Sequence, residues 1–271
     1  SDTGTSFTAA MLSATTLAMS GCDTYGHGHA TAITSVDAGS TIALWKHVAT
    51  SRTAYGLYMA TITDTAVSIG GYSALTSVGP VSGDGFNLNH FHSTSLSVSH
   101  TSMSSLMKYG LRAGNMDGSC TINLDHVEAS GPAVALYLYI FPDAGVVASV
   151  TNSFVSGGEW GMIADLISGM ALTVTNLTTS ATGAGAGFYA SRMSAGSSVT
   201  LHGVHATGTT SKGMYFSTIS DSSVTVEGYS TASGQTSGLY TKLFTASTLT
   251  LSHSSFDGVT SRGAQLTGFA G

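Results

Sequence analysis

Along this chain an apolar–small–apolar triplet returns ten times: Leu17-Ala18-Met19, Ile42-Ala43-Leu44, Val67-Ser68-Ile69, Leu96-Ser97-Val98, Ile122-Asn123-Leu124, Ala148-Ser149-Val150, Leu172-Thr173-Val174, Val199-Thr200-Leu201, Val224-Thr225-Val226 and Leu249-Thr250-Leu251. The steps between triplets are 25, 25, 29, 26, 26, 24, 27, 25 and 25 residues. Within each repeat the apolar period is two, which predicts strands, and no stretch carries a convincing 3.6-residue apolar stripe. A period of this length marks a solenoid, in which each unit buries its apolar face only against its neighbours. A second strand is expected after the glycines of Gly56-Leu57-Tyr58, Gly187-Phe188-Tyr189, Gly213-Met214-Tyr215 and Gly238-Leu239-Tyr240. Turn formers such as "DAGS" at 37–40, "DGS" at 117–119 and "DAG" at 143–145 separate it from the anchor triplet.

The position two residues after each anchor triplet reads Gly21, Lys46, Gly71, His100, His126, Asn152, Asn176, Gly203, Gly228 and His253. All but Lys46 are types that tolerate φ > 0, so a sharp left-handed corner is expected there. An apolar or aromatic residue follows within three positions: Cys22, Val48, Tyr72, Met103, Val127, Phe154, Leu177, Val204, Tyr229 and Phe256. These are read as the start of a third inward strand. The expected fold is therefore all-β: one parallel β-helix over 1–271, about ten coils of roughly 25 residues, with three short strands per coil. Stacked about 4.8 Å apart, ten coils make a rod roughly 48 Å long. The 29-residue repeat around Pro80 to His92 must carry an extra loop.

The coil with its Asn/Gly/His corner resembles the right-handed β-helix superfamily of pectate lyases, tailspikes and secreted adhesins. The resemblance covers the whole chain. It implies that any catalytic residues would be Asp, Arg or Lys clustered on one exposed strand face.

Composition narrows the function. The chain has 42 Ser and 38 Thr, only 8% charged residues and a formal net charge of −6. Its 42% hydrophobic content, with eleven Tyr and ten Phe, separates it from disordered chains of similar polarity. No basic stripe suited to nucleic acid is present. The longest apolar run, "AVALYLYIF" at 133–141, is too short for a membrane-spanning helix. The chain starts at Ser without a leader-like segment, as a processed or excised segment would. Cys22 and Cys120 fall in coils one and five, roughly 19 Å apart by coil spacing, too far for a disulfide.

Candidate chemistry is sparse. Asp37, Asp64, Asp117, Asp143 and Asp221 precede anchor strands and read as turn formers. Asp117 and Asp143, in adjacent coils, are the best candidates for a paired carboxylate site. His27-Gly28-His29 and His90-Phe91-His92 have a spacing that puts two imidazoles on one strand face, as a Zn²⁺ site would. Without nearby Cys and with few acidic neighbours they read better as polar connections, so no metal or other cofactor is expected.

Two outward ladders remain. Two residues beyond the glycine position the chain reads Tyr58, Asn87, Arg112, Tyr137, Ile163, Tyr189, Tyr215 and Tyr240. Exposed aromatic rows bind sugars or proteins, or stack on one another. Inside the anchors, Thr173, Thr200, Thr225 and Thr250 continue an uncharged row of small residues that begins at Ala18. This face resembles the Thr-x-Thr faces of β-helical ice-binding proteins, although Thr248-Leu249-Thr250 is the clearest match. Asn176-Leu177-Thr178 offers one glycosylation acceptor. The expected function is structural: an extracellular or cell-surface filament subunit or adhesin, assembling end to end with itself. A polysaccharide-binding or polysaccharide-cleaving protein using the tyrosine face is the alternative, and an ice-binding protein the third reading.

Overall fold

The computed structural model describes residues 6–79, 83–140, 145–165 and 167–270. Among them there is no helix, and the chain winds as a parallel β-solenoid of about ten turns, roughly 26 residues each, with three strands per coil. Every strand pairing is parallel. One sheet runs from Phe7–Ala9 at one edge, through the strands that follow the glycine position, to Arg262–Leu266 at the other. The anchor strands, from Thr16–Ser20 to Thr248–Leu251, form a second sheet. Strands from Asp23–Gly26 to Ser255–Gly258 form a third.

The anchor triplets stack in the register read from their spacing. Leu17 pairs with Ile42, Ile42 with Val67, and so on through Ala148–Leu172, Leu172–Val199, Val199–Val224 and Val224–Leu249. Alternation turns the flanking residues of each triplet inward and the small central residue outward. Leu172, Val174, Val199, Leu201, Val224 and Val226 are at most 1% exposed. A slip of one residue would turn all of them out to solvent, so burial and register enforce each other.

All ten corner positions have positive φ, including Lys46 at 51°. In coils four and five the strand ladder continues through the corner, so that Ser95–Ser105 and Thr121–Gly131 each serve two sheets. A second left-handed corner, before the anchors, was not anticipated. Ala14, Gly39, Asp64, Ser93, Gly118, Gly169, Gly196, Asp221 and Ala246 occupy it with φ between 46° and 77°. Asp64 and Asp221 therefore do shape turns, whereas Asp143 lies outside the described residues.

The third strand differs from expectation at four coils. Val48, Tyr72, Phe154 and Tyr229 point outward, at 37%, 80%, 50% and 78% exposure. The inward column is instead Thr24, Ala49, Leu75, Met103, Ala129, Val155, Thr179, Ala206, Ala232 and Phe256. Four of its members are alanine, and the opposing glycine-led strand crosses close by. A Cβ on Gly56 would lie 2.6 Å from Thr76 N, and one on Gly110 would lie 2.6 Å from Ser130 N. The bulk comes from the glycine-led sheet, where Leu57, Phe86, Leu111, Leu136, Met162, Phe188, Met214 and Leu239 form one buried column. Leu251 departs from the buried anchors, at 38% exposure, because among the described residues its strand pairs on one side only, with Ser223–Glu227.

Candidate functional site

On the glycine-led sheet the predicted outward row is in register, Tyr58 pairing with Asn87, Asn87 with Arg112, Arg112 with Tyr137, Tyr189 with Tyr215 and Tyr215 with Tyr240, but Asn87 and Ile163, read as outward, are buried. The tyrosines are half-buried rather than free. Tyr189 lies 4.8 Å from Tyr215, and Tyr215 lies 5.2 Å from Tyr240, centroid to centroid. Trp160 adds its ring 4.7 Å from Tyr189. Most of each ring is therefore spent on its neighbour, as in-register aromatics on parallel strands will do. Lys212 Nζ lies 5.0 and 5.1 Å from the Tyr215 and Tyr240 rings. It borders an open depression of about 400 Å³ shared with Lys242, Ser237 and Gln265.

The same face holds a buried polar cluster that sequence reasoning missed. Asp84 is 1% exposed, and Asn87 Nδ2 donates to its Oδ2 at 2.5 Å. Burial pushes the Asp84 carboxyl above its ordinary pKa, with the Asn87 hydrogen bond and the Arg112 charge opposing. His29 stacks on Tyr55 and Tyr58, at 5.1 and 4.9 Å, and burial lowers its pKa. His29 Nδ1, Asp84 Oδ1 and Arg112 Nε are buried without a hydrogen-bond partner. Farther along, Asp165 accepts from the Tyr137 hydroxyl at 3.4 Å and from Ser191, and Arg192 lies 3.8 Å away. Asp84 and Asn87 are three residues apart, whereas Arg112 reaches Asp84, and Tyr137 and Ser191 reach Asp165, only through coil stacking, which no local motif announces.

The two H-x-H motifs diverge. His90 and His92 both face Asp117, at 3.8 and 2.9 Å, a carboxylate that coil stacking brings from the next repeat. His29 joins the tyrosines. Among the described residues, no group of three or more His, Cys, Asp or Glu is arranged to hold a metal ion. The Asp117 carboxylate is thus occupied by imidazole. Both cysteines are free, Cys120 buried and Cys22 partly so.

The anchor face is flat and uncharged over much of its length. Thr173, Thr200, Thr225 and Thr250 pair in one row, beside Ala171, Ser198, Ser223 and Thr248. A further hydroxyl row went unread in the sequence. Thr50, Thr76, Ser104, Ser130, Ser156, Ser180, Thr207 and Ser233 stack outward on the third sheet in consecutive coils.

The corner ridge carries the most differentiated surface. Gly21 opens it. His100 and His126 stack at 4.7 Å with planes 3° apart. Asp125 accepts from Thr151 Oγ1 at 2.7 Å, His126 Nδ1 at 2.9 Å and Asn152 Nδ2 at 3.0 Å, bonds that lower its pKa to about 2. Asn176 Nδ2 in turn donates to Asn152 Oδ1 at 3.1 Å, so the sequon asparagine is exposed but engaged. Gly203 follows, where a Cβ would meet Asn176 Oδ1 at 2.9 Å. Gly71 and Gly228 are each followed by an exposed tyrosine, and His253 closes the row. The chain matches no family model, no curated protein and no solved structure.

Proposed function

We propose that this chain is a structural β-solenoid, an extracellular or cell-surface rod that lengthens when the first coil of one copy stacks on the last coil of another. One observation carries the reading. The outward surface consists of long in-register rows: Tyr189, Tyr215 and Tyr240 stack on one another at 4.8 and 5.2 Å, and an uncharged hydroxyl row from Thr50 to Ser233 runs through eight consecutive coils. A contact between unlike ends of such a rod does not close on itself and therefore propagates. The weakly charged, hydroxyl-rich surface and the self-stacked tyrosines support a scaffold over an enzyme.

Light scattering and negative-stain imaging test this reading. Wild-type protein is expected to form rods longer than one chain as concentration rises, and Leu266→Lys to remain a single folded rod. Monomers at every concentration, identical for wild type and Leu266→Lys, would defeat it.

A second reading rests on Lys212 and Lys242, which place two cations beside Tyr215 and Tyr240 at the open depression. An acidic polysaccharide suits that chemistry, cations for its carboxylates and rings for its sugar faces. Retention on immobilised polygalacturonate, lost in Lys212→Ala/Lys242→Ala, is the expected result.

A further inference from the structure

Eight of the ten corners reach the inward residue of the third strand in three steps, as from His100 to Met103 or Asn152 to Val155. Gly71 to Leu75 and Gly228 to Ala232 take four. The inserted residue is tyrosine both times, in the same tripeptide, Gly71-Tyr72-Ser73 and Gly228-Tyr229-Ser230. Tyr72 and Tyr229 have φ of 66° and 63°, so each corner carries two consecutive left-handed residues. A bulky side chain at φ > 0 is a strained outlier. That strain does not go to packing, because the two rings are the most exposed large hydrophobic side chains of the described residues, at 80% and 78%.

The surroundings are duplicated as well. In the preceding coil a ring packs flat where each glycine lacks a Cβ. A Cβ on Gly71 would lie 2.5 Å from Trp45 Cε2, and one on Gly228 would strike the His202 imidazole. In the following coil each tyrosine meets a corner histidine, His100 at 5.5 Å and His253 at 6.0 Å, tilted by 59° and 55°. Ser73 and Ser230 pin the corners from inside. Ser73 Oγ donates to Gly70 O at 2.7 Å and Ser230 Oγ to Glu227 O at 2.6 Å. Beside Tyr72 the outward column drops to Ala74 and Ser102, which opens a depression of about 490 Å³ closed by His126 and Glu128.

We infer that Tyr72 and Tyr229 are paired stacking posts for a neutral polysaccharide laid along the corner ridge. An exposed aromatic ring bordered by hydroxyls, imidazoles and one carboxylate suits a pyranose, apolar on its faces and hydroxylated at its rim. Glu128 and Glu227 flank the two posts and Asp125 stands on the ridge between them, which disfavours a polyanion. Six coils separate the posts, about 29 Å along a straight rod. Two like sites on one line fit a ligand that repeats along its length. Between them the His100–His126 stack and the Asp125–Asn152–Asn176 ladder offer donors and acceptors for sugar hydroxyls. This site lies on a different ridge from the Lys212 depression and does not depend on end-to-end assembly.

The test is native affinity electrophoresis in gels cast with hydroxyethyl cellulose, galactomannan or xyloglucan. At least one of the three should retard the wild type. Tyr72→Asn and Tyr229→Asn should each weaken retardation about tenfold, and the double variant should abolish it, as loss of a two-post contact requires. Asparagine accepts φ > 0, so both variants should keep or raise the melting temperature. Lack of retardation by all three polymers overturns the inference, and so does a double variant that runs like wild type. A melting temperature lowered as far as by a core truncation would assign the tyrosines a structural role instead. Retardation by polygalacturonate should not respond to either tyrosine, and if it does the neutral class is wrong.

Discussion

Leu201 and Leu251 occupy the same column of the anchor sheet, two coils apart, yet Leu201 is fully buried and Leu251 is 38% exposed. The side chain, strand and sheet are the same in both places. Leu201 has Val174 on one side and Val226 on the other, whereas Leu251 has Val226 alone. Burial in this molecule is thus supplied by the neighbouring coil and not by the coil a residue belongs to. Stability should follow position along the rod, as nearest-neighbour coupling in a solenoid demands.

The sharpest way to break this comparison is truncation. Leu201→Ala is expected to cost about 2–5 kcal/mol, the usual range for a buried leucine. Leu251→Ala should cost about 1 kcal/mol or less, because part of its area is already in water. Denaturant unfolding of both variants measures the gap, and equal losses would mean that the last coil is covered in solution. Next in size is Gly203→Val, in a mid-rod corner with φ of 61°. A β-branched residue there should cost about 1–3 kcal/mol, and its Cβ would also press on Asn176 Oδ1. His253 holds the equivalent position in the last coil with φ of 46°, and His253→Gly should leave stability unchanged or slightly raised by relieving that backbone.

The smallest expected effect is electrostatic. Asp125 is held by Thr151, His126 and Asn152 with its pKa lowered to about 2. The folded carboxylate is favoured, so its contribution is complete above its ordinary pKa of about 4. It is lost as pH falls from there through about 2. The melting-temperature difference between wild type and Asp125→Ala should be a few degrees at most at pH 6, because the group is well exposed and screened. It should close toward zero as pH approaches 2. A difference that widens on acidification would contradict the bonding seen at this corner.

The anchor register was legible because two signals coincide in it: period-two alternation, and a residue at fixed offset that accepts φ > 0. Gly203, Asn152 and Asn176 announce the corner by residue type. The corner before the anchors was legible only as a turn, at "DAGS" and "DGS"; its left-handed geometry was not, because Ala14, Ser93 and Ala246 have no left-handed preference and take φ of 47–48° from their surroundings. Tyr72 and Tyr229 were misread as inward. The one-residue insertion that turns them out shows only when neighbouring coils are aligned. The eight-coil hydroxyl row, and the meeting of Arg112 with the local Asp84–Asn87 pair, are products of stacking. The residues that stacking joins are about one coil apart in sequence, and a strand alone gives no reason to group them.

The most direct test of the central claim is hydrogen exchange of Thr248–Leu251 and Ser223–Glu227 across protein concentrations. Ser223–Glu227, enclosed between coils, should be protected at every concentration. Thr248 N–H already donates to Ser222 O, and by ladder alternation the amides of Leu249 and Leu251 are the ones that point to the open edge. Those two should exchange fast when dilute and gain protection as concentration rises and another copy covers the edge. Protection of Leu249 and Leu251 that is high when dilute, or that never changes with concentration, would contradict the account.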